Sequence, residues 1–166
     1  MTDEALRQAL EDSISETLDA MFFTSCLGPA EDRAVADLEA AARVTFQGKP
    51  SGRLTVRMAG GAARAIAAGF LGEDEETVPE ERVGDVLREL TNMICGFVLS
   101  RVECAEEFRL DEPKLVDAAS CGIAPEQASE PPAAPGAPRR RMVHAVETGA
   151  GALEASLEME GRICPP

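Results

Sequence analysis

Two pairs of short segments alternate polar and apolar residues, and they limit the folds that this chain can adopt. A few turn-forming residues join the members of each pair, so the sequence predicts two β-hairpins, 43–47 with 53–58 and 142–146 with 153–159. Successive side chains of a strand point to opposite faces, which gives each hairpin one apolar and one polar face. An antiparallel sheet with one covered face is therefore expected, and helices must cover it.

Three further segments are predicted to be helices from their apolar periodicity or their alanine content: 4–23, 62–71 and 79–102. Short apolar pieces at 108–110 and 115–116 predict an edge or bulged strand. The expected fold class is α+β. In this layered architecture, two long helices and one shorter helix cover an antiparallel sheet.

The length of the chain, 166 residues, is sufficient for one domain with a sizeable core. Between about 122 and 138, five prolines stand among alanine, serine and glycine, a composition that favours an extended loop over a helix or a strand. The strand pattern resumes after this loop. We therefore expect a single domain over 1–166 with a Pro/Ala-rich loop insertion.

Composition excludes several classes of function. Sixteen Lys and Arg against thirty Asp and Glu give a net charge of −14, which would repel nucleic acids and anionic membranes. The N-terminus lacks the pattern of a signal peptide, and no stretch is long and apolar enough to span a bilayer, so a cytoplasmic location is expected. The five cysteines have irregular spacing and only one histidine accompanies them, which predicts reduced thiols and no zinc site.

The helix predicted at 79–102 is apolar around most of its circumference but carries one line of polar or small residues. The members of this line follow one another at steps of four, three, four and four: Asp85, Glu89, Asn92, Gly96 and Ser100. A buried glutamate would need a partner, and an interior glycine weakens a helix by about 1 kcal/mol. The line must therefore face solvent or another molecule. Two interpretations of the line stay open, an ordinary solvated face and a binding site. Gly96 favours the binding site, because a residue without a side chain leaves the helix backbone accessible.

The first predicted helix repeats part of this pattern. Asp12, Glu16 and Asp19 follow one another at the same steps of four and three. Each of the two long helices is also followed by alternating strands. The repetition predicts an internal duplication, in which two halves share one sheet around a pseudo-twofold axis.

Residues 89–96, Glu-Leu-Thr-Asn-Met-Ile-Cys-Gly, resemble the Glu-x-x-Asn-(Met)-Ile-x-Gly signature of the CheC, CheX and FliY chemotaxis phosphatases, and the CheX branch is the most similar. Asp85 and Pro113 occupy the remaining positions of the broader family pattern. The order of helices and strands agrees with the family along nearly the whole chain. The sequence departs from the family at Phe97, where CheX proteins usually have asparagine, and in the longer proline-rich loop.

The resemblance implies a phosphatase that hydrolyses the aspartyl phosphate of a response-regulator receiver domain, in chemotaxis or in another two-component signalling pathway. In such an enzyme Asn92 would position the attacking water, and Glu89 would pair with a lysine of the receiver. Asp85 and Gly96 would contribute to partner binding. Glu16 is present in the first half, but Asp19 stands where an active half has asparagine, so the resemblance implies a degenerate second site.

Further implications concern cofactors and assembly. In this class the magnesium ion belongs to the receiver, so no cofactor of the chain's own is expected. CheX-type relatives form dimers by joining sheet edges, which predicts a homodimer.

The principal alternative is a non-catalytic receiver-binding or flagellar-switch-like scaffold with the same fold. An acidic structural adaptor outside signalling is a third possibility. A hydrolase triad is disfavoured, because the one histidine, His144, lies in a predicted strand without a nucleophile elbow nearby.

Overall fold

The computed structural model of the chain describes residues 1–102, 107–121 and 139–161. The helices within these residues are α1 (Asp3–Met21), α2 (Asp32–Ala36), α3 (Gly60–Leu71), α4 (Glu80–Arg101) and α5 (Ala118–Cys121). The strands are β1 (Cys26–Pro29), β2 (Ala40–Gln47), β3 (Ser51–Met58), β4 (Arg109–Leu110), β5 (Lys114–Asp117), β6 (Arg139–Thr148) and β7 (Gly151–Glu160). Both predicted hairpins, all three predicted helices and the short edge strands are confirmed.

The strands form one seven-stranded sheet in the order β1-β6-β7-β3-β2, with β4 and β5 both pairing with β2 at the far edge. Every neighbouring pair is antiparallel. The two hairpins meet at the centre, where β3 pairs with β7. Strand β1 comes from the first half of the chain but pairs with the second hairpin, and β5 from the second half pairs with the first. This reciprocal exchange confirms the predicted pseudo-twofold arrangement.

The helices α1 and α4 lie side by side on the apolar face of the sheet, with α1 against β6 and α4 against β2 and β3. The stripe of α1 at spacings of four is fully buried, and it consists of Leu6, Leu10, Ile14 and Leu18. Burying each of these side chains contributes about 1.5–3 kcal/mol relative to leaving it exposed. Helix α3 packs against α4 and completes the layer.

The two long helices run in opposite directions. Arg140 at the start of β6 donates to the carbonyl of Met1, and Gly149 after β6 donates to the carbonyl of Ser25, so α1 runs parallel to β6. A Cβ added at Gly84 near the start of α4 would meet Leu115, and Leu115 pairs with Ala42 at the beginning of β2. Helix α4 therefore runs parallel to β2. Three antiparallel pairings separate β6 from β2, which makes α1 and α4 antiparallel.

Local interactions fix the start of α4 and the end of α3. Helix α4 begins one residue later than predicted, because Pro79 has an extended backbone and acts as the capping residue. Arg64 of α3 pairs with Glu80 and donates to the carbonyl of Val78 at 2.7 Å, which ties the start of α4 to α3. Gly72 ends α3 in the left-handed conformation, with φ of +66°, as glycine commonly does.

Strand β1 lies outside the elements that the sequence predicts, because four residues ending in Gly28-Pro29 show no periodicity and resemble a turn. The structure instead pairs Gly28 with Glu147 and Pro29 with Val146. Gly28 has a φ of +140° and lies at an irregularity in the pairing, and Pro29 stands in an edge strand, where a missing N–H donor is tolerated. The proline-rich loop lies outside the described residues, so the single-domain prediction with its loop insertion stays a prediction. In the described ranges no helix could cross a membrane.

Candidate functional site

The polar line of α4 faces outward along the helix layer. Its opposite side is buried in the core, at Val83, Leu87, Leu90, Ile94 and Val98. On the line itself Asp85, Glu89 and Ser100 are exposed, and Asn92 and Gly96 are partly exposed. The expectation that this line faces solvent or a partner is confirmed, while the roles of its residues stay predictions.

Glu89 and Asn92 lie one helical turn apart on this line, and their polar groups are unengaged among the described residues. Neither side chain makes a hydrogen bond or an ion pair with another residue in the part of the chain that the structure describes. Polar side chains without partners keep their full capacity to bind water or another protein. The pair therefore offers one carboxylate and one carboxamide to an incoming molecule.

Asp85, by contrast, is already engaged. Its carboxylate accepts a hydrogen bond from Arg88, three residues further along α4. Both side chains are substantially exposed, and pairs of this kind typically contribute less than about 1 kcal/mol. Asp85 can therefore exchange Arg88 for a partner at little cost. Arg88 was not singled out from the sequence, although the spacing of three from Asp85 was visible there.

Gly96 has no packing role among the residues that the structure describes. A Cβ added at this position would meet no atom within 4 Å, apart from those of its own helix turn and its chain neighbours. Glycine in a helix costs about 1 kcal/mol relative to alanine, and no contact among the described residues requires that cost here. The helix therefore has a flat surface without a side chain beside Asn92.

The corresponding line on α1 is exposed, but its carboxylates have partners. Glu16 forms an ion pair with Arg101 of α4, and Arg101 also donates to the Ser13 hydroxyl at 3.1 Å. Gln8 donates to Asp12 at 2.8 Å. The Glu16 pairing could not be predicted from spacing, because the two residues are brought together only by the packing of α1 against α4.

The two lines also differ in length. Helix α4 continues for nine residues beyond Asn92, whereas α1 ends two residues beyond Asp19. The position four residues after Asp19, which corresponds to Gly96, is Phe23 and lies outside the helix. The α1 line therefore lacks the amide and the flat backbone surface that α4 provides.

Phe97, the departure from the family pattern, lies toward the groove between α1 and α4. Its ring is partly buried, and the guanidinium carbon of Arg101 lies 5.9 Å from the ring centroid. Arg101 also donates to the Phe97 carbonyl at 3.1 Å. Phe97 thus supports the contact between the two helices beside the line, and it leaves Glu89 and Asn92 uncovered.

Other reactive groups lie away from this line. Burial raises the pKa of the Cys95 thiol to about 12, so this thiol is protonated at neutral pH and is no nucleophile. His144 on β6 faces α1, where its Nδ1 lies 3.2 Å from a Glu11 carboxylate oxygen. The described residues contain no cluster of three side chains suited to holding a metal ion.

Comparisons with known proteins identify the fold and the family of the chain. A family model described as chemotaxis phosphatase CheX matches residues 40–135, more than half of the chain. The chain is similar in structure to CheX from Vibrio vulnificus, with 16% identity, coverage of 93% of this chain and 96% of that one, and a TM-score of 0.67. The chain is also similar to a CheC-like superfamily protein from Shewanella sp. PV-4, with 20% identity and a TM-score of 0.68. This match covers 96% of this chain and 100% of that one.

A third similar structure is that of a CheX-CheY-BeF3-Mg complex from Borrelia burgdorferi. Its identity is 18% and its TM-score 0.63, and the match covers 92% of this chain and 96% of that one. At these identities the structural likeness establishes the fold. No curated protein matches the sequence. The family match, which includes the whole of α4 and its signature, shows that this chain belongs to the CheX family of chemotaxis phosphatases.

Proposed function

We propose that this chain hydrolyses the aspartyl phosphate of a CheY-like receiver domain, with Glu89 and Asn92 as the residues that act on it. One observation carries the proposal. Asp85, the other carboxylate of the line, is engaged by Arg88, whereas these two side chains are accessible, adjacent and unpartnered within the described residues. The complex of the similar Borrelia burgdorferi CheX with CheY, BeF3 and Mg supports a receiver as the partner.

The role of Asn92 follows from the chemistry of the acyl phosphate. In hydrolysis the oxygen of water attacks phosphorus in line, the bond to the aspartyl oxygen breaks, and the receiver keeps its carboxylate. The mixed anhydride is already activated, so placing one water in line is a large part of catalysis. A carboxamide offers that water both an acceptor and donors. Asn92 has its amide available for this task.

Glu89 would select and orient the receiver. Its carboxylate can accept a charge-assisted hydrogen bond from a lysine beside the phosphorylated aspartate. Because Glu89 has no partner among the described residues, forming this bond breaks no ion pair in the phosphatase. Asp85 would add a contact at the rim by releasing Arg88, and Gly96 would allow the receiver backbone to approach α4.

The proposal assigns the magnesium ion to the receiver and requires no cofactor from this chain. The line on α4 presents one free carboxylate and one amide, which is a small ligand set for a metal of its own. The ion would contribute charge neutralisation at the phosphoryl group. The work of this chain's residues is to bind the receiver and to hold the water.

The direct test is to measure the decay of a phosphorylated CheY-like receiver with and without the protein. The proposed function predicts that substoichiometric protein accelerates phosphate release over the receiver's own decay rate. A non-catalytic receiver-binding scaffold would bind the phosphorylated receiver but leave its decay unchanged, and an acidic adaptor would not bind it. Either result would contradict the phosphatase proposal.

Assembly as a homodimer is part of the same proposal. Strands β1, β4 and β5 form the two edges of the sheet, and their outer backbone groups can pair with a second copy. One chain has a mass of 17.6 kDa, so sedimentation analysis at micromolar concentration would give twice that mass for a dimer. A single species at the chain mass would contradict this assembly.

A further inference from the structure

Phe23, directly after α1, is the most exposed large apolar side chain among the described residues. Its side chain is 82% accessible, and its backbone φ is +53°. The left-handed region is costly for a bulky residue other than glycine. Exposure of an aromatic ring and a left-handed backbone at a bulky residue are both unfavourable, and so exposed a ring gains little contact among the described residues in return. Such a residue is typical of a functional position.

The backbone around Phe23 is held firmly. Its neighbour Phe22 is buried and stacks on Phe70, with 4.8 Å between the ring centroids. The Thr24 N–H donates to the Leu18 carbonyl at 3.0 Å, and the Thr24 hydroxyl donates to the Phe22 carbonyl at 3.1 Å. The Phe23 ring is therefore presented from a fixed base, and little backbone entropy is lost when it binds a partner.

The packing of the helices places Phe23 level with the polar line of α4. Arg101 of α4 contacts Ser13 and Glu16 of α1, and the two helices are antiparallel. Asn92 lies nine residues before Arg101, about 13 Å back along α4. The same distance along α1 from Ser13 leads to the end of the helix at Met21 and its capping residue Phe22, which Phe23 directly follows. Phe23 thus stands at the height of Asn92 on the neighbouring helix.

We propose that Phe23 is the apolar anchor of the receiver interface, where its ring enters an apolar depression beside the phosphorylated pocket. This inference rests on the proposed function and deepens it. Protein interfaces typically depend on a central buried aromatic residue, and charged or polar contacts around it give orientation. The α4 line supplies a carboxylate and an amide but no large apolar group, and Phe23 supplies the missing part. A receiver with a charged residue at that depression would be a poor substrate.

The test compares Phe23→Ser and Phe23→Gly with the control Val143→Ser. Val143 is also exposed, at 38%, but lies on the opposite face of the sheet, since its neighbour His144 faces α1. The probe is the CheY-like receiver that the wild-type protein dephosphorylates fastest, in its phosphorylated form for kinetics and with beryllofluoride and Mg²⁺ for binding. Kd, KM, kcat and the thermal midpoint are measured for each variant.

Both Phe23 variants should raise Kd and KM about tenfold or more, as expected for an anchor residue, with kcat at saturation unchanged. The thermal midpoint of Phe23→Gly should equal or exceed that of the wild type, because glycine relieves the left-handed strain. Val143→Ser should bind like the wild type. Kd and KM within twofold of wild type for both Phe23 variants would overturn the inference while leaving the phosphatase proposal intact. A wild-type protein that neither binds nor dephosphorylates any receiver would overturn both.

Discussion

Asn92 and Asp19 offer a matched comparison, because each lies three residues after a glutamate on the exposed line of its helix. Asn92→Ala should lower kcat for receiver dephosphorylation about a hundredfold or more, since the water loses its positioning group. The Kd for the beryllofluoride-activated receiver should stay within a few fold of wild type. Steady-state phosphate release at saturating phosphorylated receiver measures the first quantity and titration calorimetry the second.

The control for this prediction is Asp19→Ala. It removes the equivalent side chain from α1 and should leave kcat and Kd as they are. If Asn92→Ala retained the wild-type rate, or if both variants lost it equally, the assignment of the water-positioning role to Asn92 would be wrong.

Glu89→Gln keeps the size of the side chain and removes its charge. The loss of a charge-assisted hydrogen bond to the receiver lysine should raise Kd and KM about tenfold, and it should reduce the dependence of binding on ionic strength. Binding measured at several salt concentrations checks both effects. The matched control is Glu16→Gln, whose carboxylate is already paired with Arg101 and should not affect binding. Equal salt dependence for Glu89→Gln and wild type would contradict the docking role.

At the scale of the element, helix α4 carries a glycine that the fold does not need. Gly96→Ala should raise the free energy of unfolding by up to about 1 kcal/mol, because alanine is the better helix former and nothing obstructs the added methyl group. Gly96→Leu should in addition block the approach of the receiver and raise Kd strongly. Chemical denaturation and receiver titration give the two quantities.

Gly69 provides the control for that prediction. It lies in α3, and an added Cβ would also meet no atom within 4 Å. Gly69→Ala should stabilise the protein to a similar or smaller extent, and Gly69→Leu should leave receiver binding unchanged. Unimpaired binding by Gly96→Leu would show that the glycine does not serve the interface.

The same elements show what the sequence could and could not reveal. The long helices and both hairpins have strong periodicity over many residues, so their positions were predicted to within a few residues. Strand β1 has four residues and helix α5 also has four, too few for any period, and β1 is defined only by its pairing with β6. The exposed line of α4 was visible from spacing, whereas the Glu16–Arg101 pair depends on residues 85 apart in the chain.

At the scale of the whole molecule, the pseudo-twofold axis relates two lines of polar residues but leaves them chemically unequal. Each hairpin receives its edge strand from the other half, so the halves share one core and present both lines on the same side of the sheet. On α4 the glutamate and the amide are free of partners within the described residues. On α1 the glutamate is paired with Arg101, and an aspartate replaces the amide.

This inequality predicts one receiver for each chain, whatever the oligomeric state. Native mass spectrometry with excess beryllofluoride-activated receiver should show no second receiver on a chain, and calorimetric titration should end at one equivalent. In the Asn92→Ala protein, any remaining acceleration of receiver dephosphorylation should be unaffected by further substitution of Glu16 or Asp19. The described residues of the α1 line offer neither a free carboxylate for the receiver lysine nor an amide for the water. A second equivalent bound per chain, lost on Glu16→Gln, would show instead that receiver binding displaces Arg101 and that both halves of the fold remain competent to bind.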